Sequence, residues 1–527
     1  MNNLSQNALN LLKQRYFQPG ENWIDLVDRV IENVCGNAVS TRKEQVRELI
    51  LKRVLIPASP VLVNAGTKVG GLFPCAVRYP EEDTLVASFE ALTDMALLAQ
   101  KGYGIGFTTT MLRPKGSSVA GSTHGIAYGA NQYAKWVSYL MSGLTQGNFR
   151  RVALMANLSC DHLEAEDFIY LKQTENEMDL ANFNQSLVIT DAWMNKALGQ
   201  INSNEQKLFD KICQHSWNNG EPGAMFYDTI NDTSPYKETK QTLISSNPCS
   251  EQPLPNFGQC CLSSINLNHA YFNSSGFFDF NALADVVALS IRFLDDVGSA
   301  NKFPTERFKQ WYEENRSVGL GIMGLADLFL RYGIRYGSDE SIAFTGKIME
   351  EIKTVSYAVS EEMGKELGIP LQCQKLATPR RNITTVSIAP TGSIAMIAEC
   401  SHGIEPIFSP SYERVDERGE KYLYTHPLAN EDYFVSAVGE RQATWKEQID
   451  LVATAQKYCD SGISKTINLP NDATVSDVKE AMIYAWKMKC KGITLYRDGS
   501  RSFQVLNQVP DSKDLLNANC KDGACSL

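Results

Sequence analysis

Histidine is scarce in this chain, at six of 527 residues, and no two cysteines stand in the Cys-x-x-Cys spacing of a zinc knuckle. A structural zinc site is therefore a poor reading. No apolar run approaches the roughly 20 residues that a membrane span needs. The start, Met1 to Phe17, is polar and helix-like and lacks the apolar stretch of a secretion signal. Basic residues are not in excess: 50 Lys and Arg face 60 Asp and Glu, a formal net charge of −10. That balance argues against a protein that coats nucleic acid, although local Arg, Lys or backbone N–H groups can still hold a small anion. Fixed-period repeats and low-complexity blocks are also missing, which excludes a solenoid and general disorder. Together these absences point to a cytoplasmic protein with no membrane and no nucleic-acid partner.

What is present is ordinary globular usage, 43% hydrophobic and 21% charged, enough to bury a large core. The length fits several domains or one large α/β barrel with additions. Residues 1–55 read as helices, because Trp23, Leu26, Val27, Val30 and Ile31 keep helical spacing, as do Val46, Leu49, Ile50 and Val54. From about residue 56 the pattern alternates. Val152–Leu158, Ser186–Ile189, Ser263–Leu267 and Ile383–Ile388 read as strands. Asn281–Val297, Glu340–Leu367 and Lys446–Cys459 read as helices. Such alternation predicts α/β architecture. Gln508–Lys521 is polar and aperiodic, so the predicted organisation is a helical region over 1–55, a catalytic domain over 56–504 and a flexible tail over 505–527.

The thirteen cysteines are scattered and odd in number. In a reducing compartment they are no disulfide framework, and most should be small buried hydrophobes. Cys249 stands apart, in Ser-Ser-Asn247-Pro-Cys249-Ser-Glu251-Gln-Pro-Leu-Pro. Prolines at 248, 253 and 255 make this a stiff loop. If the loop is extended, Asn247, Cys249 and Glu251 share a side; a turn with an incidental cysteine is the plainer alternative. At Cys260-Cys261 a strand begins, so one thiol faces opposite to the other, and both can be mere packing. Cys520 and Cys525 lie on the polar tail, where exposed thiols suit a redox pair and, less readily, a metal. Ala389-Pro-Thr391-Gly392-Ser393-Ile394 reads as strand, turn and helix start, either a phosphate cradle or a simple capped helix. Gly102-Tyr-Gly104-Ile-Gly106 is not a dinucleotide fingerprint, since its spacing is wrong and no acidic residue follows at the required distance.

Over about residues 5–507 these segments resemble the large chains of ribonucleotide reductases, and most nearly the adenosylcobalamin-dependent class. The resemblance is carried by Ala58–Thr67, Leu112–Ser117, Gly220-Glu-Pro-Gly223, Arg316–Asp327, the 389–406 segment, Ser464–Thr474 and Cys490–Arg501. It implies a ten-stranded α/β barrel with a central finger loop, preceded by a short helical region. It implies that Cys249 carries a thiyl radical, that Asn247 and Glu251 hold and deprotonate the ribose, and that Cys75 and Cys260 are the reducing pair, with Cys261 as the competing neighbour. Ser59, Thr391, Gly392 and Ser393 match the substrate phosphate cradle. Asp83, Lys115, Arg150 and Arg151 match the region that binds a deoxynucleotide (dNTP) effector. Ser250 stands where the cobalamin class has glycine, which predicts a slightly stiffer finger.

The implied chemistry explains the residue types. A Cys249 radical takes the 3′-hydrogen of a ribonucleotide, expected to be a diphosphate; Glu251 takes the 3′-OH proton; one of the paired thiols protonates the departing 2′-hydroxyl. The buried disulfide left behind needs a shuttle, which Cys520 and Cys525 would provide, with thioredoxin or glutaredoxin behind them. Adenosylcobalamin would generate the radical. A homodimer is expected, because effector loops of the family sit at a dimer interface. The rival reading is the diiron class, with its radical from a second subunit, but the paired tyrosines of that class are replaced by Tyr496-Arg497.

Overall fold

A computed structural model of the chain describes residues 4–36, 38–68, 70–146, 150–173, 183–269, 277–415, 421–429, 431–500 and 506–508. The N-terminal region is helical where the periodicity predicts it, at Gln6–Arg15, Trp23–Val34 and Ser40–Leu51. Asn22 and Asp25 form a capping box that starts the second helix, and Trp23, Leu26, Val27, Val30 and Ile31 on its inner face are buried. The helices expected near 281, 340 and 446 are Phe280–Ala300, Asp339–Leu367 and Trp445–Gln456. Among the described residues no helix is long and apolar enough to cross a membrane.

The first strands are β1 (Leu55–Pro57), β2 (Cys75–Val77), β3 (Gly104–Thr108), β4 (Thr145–Gln146), β5 (Arg150–Arg151) and β6 (Leu154–Ser159). Then come β7 (Phe183–Ile189), β8 (Gly223–Phe226), β9 (Ser245–Ser246), β10 (Pro253–Leu254), β11 (Gln259–Asn266) and β12 (Val318–Met323). The last are β13 (Ser411–Val415), β14 (Lys421–Thr425), β15 (Thr466–Leu469), β16 (Gly492–Arg497) and β17 (Leu506–Gln508). β2, β3, β6, β7 and β8 are parallel neighbours in that order. β11 with β12, and β15 with β16, are parallel pairs. The two sets meet antiparallel at β2–β11 and β8–β16, and β1 adds to β11 to make one ten-stranded sheet. All residues of β11 and β12 are buried, as expected for strands covered on both faces.

Ile383–Ile388, expected as a strand, forms no ladder. It makes single parallel bridges, Leu320–Val386 and Ile388–Ile463. Its hydrogen bonds alternate between two neighbours: Leu320 N donates to Thr385 O, and Ser464 N to Ile388 O. It therefore runs between β12 and the residues leading into β15, the two ends of the strand order. Leu506–Gln508, expected in the tail, pair as β17 with β13.

Candidate functional site

β9 and β10 pair antiparallel, Ser246 with Pro253 and Ser245 with Leu254, so the proline-rich loop is a short hairpin. The extended course that would align Asn247, Cys249 and Glu251 does not occur. Ser250 N donates to Asn247 O at 3.0 Å, and Ser250 takes φ +65°. A residue with a Cβ in this left-handed region costs about 1–2 kcal/mol. The turn sends the three side chains apart: Asn247 and Glu251 are buried, whereas Cys249 at the tip is exposed and faces a cavity of about 940 Å³.

The hairpin is held from several sides. At its root, buried Asn157 of β6 accepts from Ser245 Oγ at 2.8 Å and Ser246 N at 3.3 Å. At its tip, Asn184 Nδ2 of β7 donates to Pro248 O at 3.0 Å. On the returning arm, Glu251 O accepts from Ser387 Oγ at 2.9 Å and Gly462 N at 2.7 Å. Each such neutral bond contributes about 0.5–1.5 kcal/mol. The Gly-Tyr-Gly-Ile-Gly motif also finds its use here. A Cβ on Gly106 would lie 1.8 Å from Ser246 O, and one on Gly104 3.1 Å from Pro248 Cγ. These glycines of β3 make room for the hairpin.

Beneath the tip four predicted residues meet. Cys75 and Cys260 are directly paired across β2 and β11. Antiparallel partners hold their Cα atoms about 4.5–5.5 Å apart, within the range a disulfide spans. Asn247 Nδ2 donates to Cys75 Sγ at 3.0 Å, and Cys75 Sγ to Glu251 Oε1 at 3.8 Å. Cys261 points away and donates to Leu294 O at 3.3 Å. Alternation along β11 thus separates the neighbours that sequence could not. Burial pushes both paired thiols up and keeps them protonated. Burial also raises the Glu251 carboxyl to about 7, against the opposing hydrogen bond from Asn247. Glu251 Oε2 is buried with no hydrogen-bond partner among the described residues. The cluster therefore offers a base poised near neutrality, two proton donors and an acceptor still to be satisfied.

The expected cradle residues lie at the N-terminal ends of two short helices. Ser59 begins Ser59–Asn64, and its Oγ is 2.8 Å from Tyr16 Oη. Thr391 has φ +54°, and its Oγ1 accepts from Gly403 N at 2.8 Å. Gly392 lines the cavity, and Ser393 precedes Ile394–Ala398 without capping it. Asn266 Nδ2 bonds both Arg53 O and Ala398 O, tying this helix to the segment that leads to Ser59.

In the expected effector region, Asp83 forms an ion pair with Arg113 and accepts from Arg113 N at 3.2 Å. Arg113 was not singled out in the sequence, although it lies within Leu112–Ser117. Lys115 is exposed, and its backbone N donates to Glu164 Oε1 at 2.5 Å. Arg150 and Arg151 form β5 against β4; their side chains, like Cys520 and Cys525, lie outside the described residues. Asn157, Asn184, Ser387 and Gly462 were also missed, because only the folded sheet brings them to the hairpin.

The chain is similar to several known proteins. The model of the ribonucleotide reductase barrel domain matches residues 74–204, 195–375 and 371–496. A vitamin B12-dependent ribonucleoside-diphosphate reductase of Thermoplasma acidophilum is 36% identical, covering 88% of this chain and 66% of that protein. One of the same name from Mycobacterium tuberculosis is 32% identical, covering 99% of this chain and 84% of that protein. The fold also matches an Actinobacillus ureae class Id ribonucleotide reductase alpha subunit, with TM-score 0.82 and 19% identity, over 94% of this chain and 97% of that one. On the family match and the two relatives, this chain belongs to the ribonucleotide reductases.

Proposed function

We propose that this chain reduces ribonucleoside diphosphates to 2′-deoxyribonucleotides with adenosylcobalamin as cofactor and Cys249 as radical carrier. The observation that carries the reading is the cluster below the hairpin tip: paired Cys75 and Cys260, with Glu251 and Asn247 around Cys75. A Cys249 thiyl radical takes the 3′-hydrogen, and Glu251 Oε2 accepts the 3′-OH proton. Asn247 orients the sugar. Cys75 or Cys260 protonates the 2′-hydroxyl, which leaves as water. The pair supplies two electrons, the second thiol giving its hydrogen to C2′, and becomes a disulfide; Glu251 returns its proton to the 3′-oxygen, and Cys249 returns the hydrogen to C3′. Thr391, Gly392, Ser393 and Ser59 hold the phosphate.

The cavity fits the cofactor's mixed surface. Met396, Phe408 and Leu423 give apolar wall, and Asn7 and Asn268 give amides for its periphery. Two carboxylates of its wall have partners within the protein: Asp327 Oδ1 lies 3.1 Å from His426 Nε2, and Glu405 forms an ion pair with Lys465. Bound there, the cofactor supplies the oxidising equivalent that turns the Cys249 thiol into a radical. The names of the two B12-dependent relatives support this class over the diiron one.

Three further parts complete the reading. Cys520 and Cys525 reduce the buried disulfide and are recharged by thioredoxin or glutaredoxin. Asp83, Lys115, Arg150 and Arg151 receive a deoxynucleotide effector. A homodimer forms through the apolar face of Leu85–Lys101, where Leu85, Val86 and Phe89 are exposed and Phe89 packs 6.0 Å from Trp136. The protein works in the cytoplasm.

The test is turnover of a ribonucleoside diphosphate with and without adenosylcobalamin, no second protein being present. Reduction is expected only with the cofactor. Cys249→Ser should bind substrate yet give no product, even with dithiothreitol. Turnover by Cys249→Ser would sink the radical assignment, and cofactor-independent turnover the cobalamin one.

A further inference from the structure

The radical hairpin is unevenly held. Its root is fixed by the buried Asn157, and its returning arm by Ser387 and Gly462. Between these anchors lie Pro248, Cys249 and Ser250. Proline has no N–H, so the carbonyl is the only backbone group through which Pro248 can be tied by hydrogen bonding. That carbonyl is taken by Asn184 Nδ2 at 3.0 Å. Asn184 itself stands on β7, which is paired on both sides, to β6 and β8, and so makes a rigid mount.

We infer that Asn184 is a positioning residue: by holding the Pro248 carbonyl it fixes the direction in which the Cys249 thiol enters the cavity. The inference rests on Cys249 being the radical carrier. The turn has a reason to move if released, because Ser250 is held at φ +65°. The strain there and the worth of one neutral hydrogen bond are of the same size. Losing the bond therefore lets the turn relax, and the thiol shifts while the sheet stays intact. Asn184 and Pro248 both line the cavity beside Cys249, so the displacement occurs where the substrate hydrogen must be met.

Two variants test this in the full-length protein. Asn184→Ala removes the donor. Asn184→Asp keeps the shape but turns a carboxylate oxygen toward the carbonyl. A displacement near 1 Å lowers rates by about 100-fold, so kcat should fall by roughly 10- to 100-fold in Asn184→Ala, and further in Asn184→Asp. KM and the melting temperature should stay at wild-type values. A second readout needs no cofactor: the rate at which iodoacetamide alkylates Cys249, followed by mass spectrometry, should change in both variants. Wild-type kcat in both variants would overturn the inference, as would a raised KM with unchanged kcat, which marks a substrate contact. Cys249→Ser runs in the same assay. If that variant turns over, the radical assignment has failed rather than the positioning role.

Discussion

Replacing Gly106 by alanine probes how tightly chemistry depends on the placement of the hairpin. The new Cβ would lie 1.8 Å from Ser246 O, and real Cβ contacts do not fall below 3.0 Å. The hairpin or β3 must therefore yield by at least about 1.2 Å, the kind of misplacement that costs on the order of 100-fold in rate. Overpacking of this sort costs about 1–3 kcal/mol of stability. A chain with so large a core should still fold. Steady-state kcat, with circular dichroism and thermal melting alongside, measures both effects. Gly199→Ala is the control, because a Cβ there meets nothing within 4 Å. The expected outcome is a folded Gly106→Ala protein with kcat down about 100-fold and an unaffected Gly199→Ala protein. Wild-type kcat in Gly106→Ala would refute the argument that β3 glycines exist to seat the hairpin.

Five other outcomes are expected. Burial raises the Glu251 carboxyl from 4.5 to about 7, and the base must be ionised, so kcat should rise with pH and level off above about 7, whereas Glu251→Gln should be inactive throughout. The native state keeps that proton between pH 4.5 and about 7 while the unfolded chain loses it; stability should fall as pH rises through this window, and melting of Glu251→Gln should be flatter there. Cys260→Ser should abolish even a single turnover, but Cys261→Ser should leave it intact, because Cys261 Sγ points to Leu294 O; equal losses in quench-flow would contradict the assignment. Cys520→Ser with Cys525→Ser should spare the first turnover and block later ones with thioredoxin, which steady-state assays with and without dithiothreitol will show. Phe89→Asp, on the exposed face of Leu85–Lys101, should yield monomers in sedimentation; an unchanged dimer would place the interface elsewhere.

Local chemistry was legible in the chain itself. The apolar spacing around Trp23–Val34 and Asp339–Leu367 marks helices because one face must be buried wherever the helix docks. Asn247, Cys249 and Glu251 stand out because prolines surround them, and Cys75, Cys260 and the 389–406 segment through their resemblance to a family. What a run of residues touches is another matter. Ile383–Ile388 has the composition of a strand, yet its bonds are divided between β12 and Ser464. The choice between Cys260 and Cys261 depends on which face of β11 meets β2, and a one-residue change of register would reverse it. The glycines at 104 and 106 look like a failed nucleotide motif until the hairpin lies across them. Asn157 and Asn184 carry no local signal, since an amide becomes an anchor only when a strand 89 residues away brings it an N–H, or a turn 64 residues away a carbonyl. Sequence determined which chemical groups this reductase has, because residue types and short-range patterns are local. Tertiary structure alone decided which of them face one another, because pairing across a sheet joins residues that the chain keeps far apart.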